Sequence, residues 1–225
     1  MAVKDNHDAN KKKQGFVTKS IALAVGLVGA YFGSLFMAIV IEWSGIYFEW
    51  WTEPGAEHAK QAVQRELGWL NDDFKRMMTP PVEIALLLTK ISYEYAIQAS
   101  GLEWLITKLQ GSSLYPYALS TAYTIELNAV RLAVIVMSMP ALVLLGVYAM
   151  IDGLVERDLR TWGGGHETSY VYHHAKKWIL PMIYTPIILY LSSPWSIHPS
   201  IFVMAFAIPF AIAIWLTAMY FKKYL

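Results

Sequence analysis

The chain predicts an all-α integral membrane protein with four transmembrane helices and a helical insertion between the first and the second. Three observations carry that expectation. Of the 225 residues, 56% are hydrophobic and 16% charged, against about 45–50% and about 25% in an average soluble domain. Nine Trp and fourteen Tyr accompany a mean hydropathy of +0.38, more apolar side chain than a soluble core of this size can hide. Four stretches are long enough to cross a bilayer core about 30 Å thick, which takes about 20 apolar helical residues. The same composition excludes disorder, and the absence of Cys excludes a secreted disulfide scaffold. A net charge of +1 carries no general bias toward nucleic acid.

Residues 1–19 form a basic N-terminal segment with Lys11, Lys12, Lys13 and Lys19, each worth about 1 kcal/mol at an anionic lipid surface. The first span, Ser20 to Ile41, has no charged residue. Its apolar run is too long for a signal-peptide core of about 7–15 residues and reads as an uncleaved anchor. Gly26, Gly29 and Gly33 line one side of it at three- and four-residue spacing, a stripe that admits close helix packing.

Residues 42–131 make the insertion. Glu42 to Thr52 mixes Trp and Tyr with Glu, as an interfacial belt does. Glu53-Pro54-Gly55 opens an amphipathic helix running to about Met78, with Val63, Leu67, Leu70, Phe74 and Met77 on one face. Thr79-Pro80-Pro81 ends it. A more apolar helix is expected over Val82–Leu109, packed on the first or lying in the headgroup layer. Gly111 to Pro116 is a turn, and from Tyr117 the pattern stays helical into the second span.

That span is Leu132–Ile151, bracketed by Arg131 and Asp152. Residues 152–177 form a loop, Trp178–Trp195 the third span, 196–199 a turn, Ser200–Phe221 the fourth span and 222–225 the end of the chain. Pro140, Pro181, Pro186 and Pro209 predict kinks. With both termini inside, the inner segments hold 11 bases and six acids and the 42–131 segment seven bases and 11 acids, so the positive-inside rule selects this orientation. An odd number of spans would need one of the first two spans to fail or a fifth helix within 82–130, where Lys90, Glu94 and Glu103 interrupt the apolar run.

The 152–177 loop is dense in polar and aromatic side chains: Asp152, Glu156, Arg157, Asp158, Arg160, Trp162, His166-Glu167 and Tyr170 to His174, around Gly163-Gly164-Gly165. Glu156 and Arg160 have the spacing of a helical ion pair. His166, His173 and His174 suggest a metal, but a zinc helix needs two His four apart around a Glu, and these stand seven and eight apart. The Gly run lacks the Lys-Ser/Thr and preceding strand of a phosphate loop. No Ser has a nucleophile's setting, and spans without ionisable residues argue against a pump. No catalytic residue, cofactor or metal is therefore expected.

The strings Arg131-Leu-Ala-Val through Met139-Pro140, Asp152-Gly-Leu-Val-Glu-Arg-Asp-Leu-Arg-Thr-Trp-Gly-Gly-Gly-His-Glu167 and Val171-Tyr-His-His-Ala-Lys176 resemble the integrating conjugative element membrane protein family of Gram-negative bacteria. The resemblance covers most of the chain and is strongest over 122–180. It implies a non-enzymatic inner-membrane accessory of a conjugative type IV secretion system, both termini cytoplasmic and 42–131 periplasmic. The implied partner is a TraD-like coupling ATPase, met through Asp152, Glu156, Arg157, Asp158, Arg160, Trp162, His173 and His174. Two other classes stay open: an entry-exclusion or mating-pair protein acting through 42–131, and an intramembrane or lipid-modifying enzyme. Membrane lipid and other secretion components are further expected partners, and direct nucleic-acid binding is not expected.

Overall fold

The computed structural model describes residues 16–73, 81–163 and 169–221. Among the described residues are seven α-helices: α1 (Phe16–Tyr47), α2 (Glu57–Asp73), α3 (Pro81–Ser92), α4 (Leu102–Lys108), α5 (Tyr115–Trp162), α6 (Ser169–Ser192) and α7 (Pro199–Met219). No strand occurs among the described residues. Three helices, α1 from Ser20, α5 and α7, are long and apolar enough to cross a membrane. The expected third span falls on α6, whose 24 residues include Lys176, Lys177, Pro181 and Pro186 and are less uniformly apolar.

The axis of the fold is α5. At 48 residues it is about 72 Å long, so it projects well beyond any bilayer. It passes through Pro140 without ending, because a neighbouring helix can shelter the carbonyl that proline leaves free. Its first half is sheathed by the insertion, where Val63 and Ala62 of α2 cover Leu127. Leu70 and Ala85 of α2 and α3 close on Val130, Ala133 and Val134. The amphipathic face expected of α2 is therefore the face it buries, as far as Leu70; Phe74 and Met77 lie outside the described residues.

One expectation is corrected. The helix over Val82–Leu109 is broken: α3 passes into a π-helical turn, Tyr93–Gln98, and Gly101 adopts φ 79° before α4 begins. That left-handed backbone suits glycine and interrupts a helical periodicity that resumes at Leu102. Within residues 152–177, α5 runs to Trp162, next to the glycine run expected to break the helix, and α6 starts at Ser169.

The second half of α5 packs along α7, and α6 lies antiparallel to α7. Tyr190 stacks on Phe202 at 4.2 Å at one end of that pair, and Tyr172 meets Phe221 edge-on at 5.9 Å at the other. Contacts between α1 and α6 include the Tyr184 hydroxyl, which donates to the Leu23 carbonyl at 3.2 Å. Gly26 lies under the same tyrosine, and a Cβ there would sit 2.6 Å from its oxygen. Gly29 and Gly33 face open space.

Candidate functional site

Two polar assemblies hold the ends of this bundle. At the end carrying the insertion, Arg131 is fully buried and opposite Glu66, itself 1% exposed. Glu66 enters the apolar face of α2 between Val63 and Leu70, one helical turn from each, so docking α2 buries its carboxylate. Arg131 Nε donates to both carboxylate oxygens at 3.1 Å, and Nη2 donates to Oε1 at 2.6 Å. The remaining donors reach main-chain carbonyls: Nη1 to Tyr190 at 2.9 Å and Ser193 at 2.6 Å, Nη2 to Trp195 at 3.1 Å. These carbonyls belong to the end of α6 and the turn after it, groups that a helix cannot satisfy by itself. One guanidinium thus joins α2, α5 and the α6–α7 turn. Burial pushes the Glu66 carboxyl above the usual carboxylate range, and the Arg131 charge is the chief opposing influence.

A second node ties α1 to α2. His58 Nδ1 donates to Glu42 at 3.1 Å, and the Trp51 ring stacks on the imidazole at 4.0 Å. A Cβ on Gly45 would collide with the Trp51 ring, so the chain can fold back after α1 only over a residue without a side chain.

At the opposite end, the residues singled out in the sequence divide into two groups. Asp152 accepts a bond from Trp215 Nε1 at 2.8 Å, and the Arg160 guanidinium lies 4.2 Å from the Tyr220 ring centre. Both fasten α5 to α7. Between them Gly153 is buried, and a Cβ there would press on the Trp215 carbonyl and on Ala218. Arg157 Nη2 donates to Asp158 at 2.8 Å, and no Glu156–Arg160 bridge forms among the described residues. Arg160 is drawn to the aromatic ring instead.

The second group faces outward. Trp162 is 91% exposed, and Ile151, Val155 and Leu159 on the same helical face are more than half exposed. On α6, His173 and His174 are exposed; His174 Nδ1 donates to the Tyr170 carbonyl at 3.0 Å. No three His or carboxylate groups come together among the described residues, and His166 lies outside them.

Sequence reasoning took Arg131 as a bracket of a span and passed over Glu66. The available signal was an acid inside an otherwise apolar stripe, paired across the fold with a base at the edge of an apolar run. No curated protein and no solved structure matches the chain. Residues 50–222 match the family described as IncC plasmid conjugative DNA transfer protein DtrJ-like. That match takes in α2 to α7 and well over half of the chain, and the protein therefore belongs to the DtrJ-like family of conjugative DNA transfer proteins.

Proposed function

We propose that the chain serves conjugative DNA transfer, the role of its family, as a non-enzymatic, four-span inner-membrane accessory that positions the coupling ATPase. The observation that carries this reading is the ridge on α5. Ile151, Val155, Leu159 and Trp162 repeat at three- and four-residue intervals and stay exposed while the opposite side of the helix packs on α7. An apolar ridge leaving the membrane with its helix is the kind of surface a partner helix covers. The Arg157–Asp158 pair beside it supplies a polar rim.

Four spans are favoured over three by the course of α6. It accompanies α7 from the Tyr172–Phe221 contact to the Tyr190–Phe202 stack, and its 24 residues reach about 36 Å. Its far end meets Arg131 on the same side as α2, which agrees with the orientation that the charge distribution selects.

The test is a mild-detergent pull-down from donor cells, comparing the natural chain with Leu159→Ser/Trp162→Ser. The coupling ATPase should be recovered with the natural chain and lost with the variant, and transfer frequency should fall in parallel. Undiminished recovery with the variant folded in the membrane removes the ridge from the interface. Recovery of mating-pair components alone favours the entry-exclusion class.

A further inference from the structure

Between α5, α6 and α7 lies a cavity of about 750 Å³. It runs from Tyr172 and Lys176 at one end to Val134, Ile187 and Phe202 at the other. From Tyr172 to Ile187 that is about 22 Å of α6.

Its polarity is confined to one end. Ser138 and Thr217 line it, but their hydroxyls donate to the Ile135 and Ala213 carbonyls of their own helices. The remaining polar groups are the Tyr172 hydroxyl and the Lys176 ammonium, 3.5 Å apart. The lysine is exposed, while the tyrosine is held against Phe221.

The dimensions decide what fits. Over that length the cavity wall is almost wholly apolar, as a hydrocarbon chain requires. Its length exceeds the roughly 15 Å half-thickness of a bilayer core, enough for a whole acyl chain.

We infer that the α5–α6–α7 cavity binds the acyl chain of an anionic phospholipid whose phosphate is held by Lys176 and the Tyr172 hydroxyl. The ammonium is complementary to the phosphate charge, and basic pockets between helices on the inner side of a membrane are known takers of such headgroups. The inference rests on the membrane placement proposed above and on no partner protein.

The experiment is lipid analysis of the purified full chain. Protein is extracted in mild detergent from membranes of measured composition, and the lipid that co-purifies is identified by mass spectrometry. Phosphatidylglycerol and cardiolipin should be enriched over phosphatidylethanolamine in the natural chain. Lys176→Gln should reduce that enrichment about five-fold, the weight of one lysine at an anionic surface, and Lys176→Arg should keep it. Ile183→Trp, which fills the cavity, should lower both lipid classes while the protein stays monodisperse. Bound lipid that mirrors the membrane and ignores Lys176→Gln overturns the inference, as does a photo-crosslinker at Ile183 that captures a protein segment. A chain absent from the membrane fraction would instead refute the placement itself, so the two failures are distinguishable.

Discussion

Glu66→Ala leaves the Arg131 guanidinium buried and without a counter-charge. Of its six hydrogen bonds, the three to Glu66 vanish and the three to main-chain carbonyls remain. Removing one partner of a fully buried pair costs about 3–5 kcal/mol, because the remaining charge keeps its desolvation penalty. That is a large share of a typical folding free energy of about 5–15 kcal/mol, and the loss should fall on the docking of α2. The chain has no Cys, so Ala62→Cys, at a site 4% exposed against Leu127, reports that docking without background. Its rate of maleimide labelling in detergent should rise about 10²- to 4 × 10³-fold when Glu66→Ala is added, at about 1.4 kcal/mol per factor of ten. Glu66→Leu/Arg131→Met, which removes both charges, should return most of the protection. A rise below about five-fold with Glu66→Ala, or a double variant as labile as the single, would refute the assignment of the pair as the clasp between α2 and α5.

Three further outcomes follow from the same geometry. Gly153→Val should lower detergent stability by about 1–3 kcal/mol by overpacking the α5–α7 contact, whereas Gly29→Ala, facing open space, should leave the melting temperature unchanged; equal effects would contradict the close approach at Gly153. Single cysteines at Ser112 and Ser200 should react with an impermeant maleimide from outside the inner membrane, and one at Thr161 only after permeabilisation. Labelling of Ser200→Cys together with Thr161→Cys would mean that α6 does not cross. Trp215→Phe removes the donor to Asp152 and should speed hydrogen exchange at the end of α7 several-fold, with exchange in α2 unaltered as the internal control.

The sequence by itself determined the all-helical class, the apolar segments and the buried side of α2, because hydrophobic content and helical periodicity are local properties that read directly along a chain. It also carried the strings around Asp152 and Tyr172 that pointed to a conjugative element, in agreement with the family match over 50–222. The break at Gly101 was harder to see, since the apolar pattern of 82–109 continues across it and only the backbone angle departs. Tertiary structure alone decided which polar residues are spent internally. Glu66 and Arg131 stand 65 residues apart, and Asp152 and Trp215 stand 63 apart; neither pairing follows from any local pattern. Each forms because packing α2 and α7 against α5 removes water from groups that must then find one another, and that requirement exists only once the helices have met.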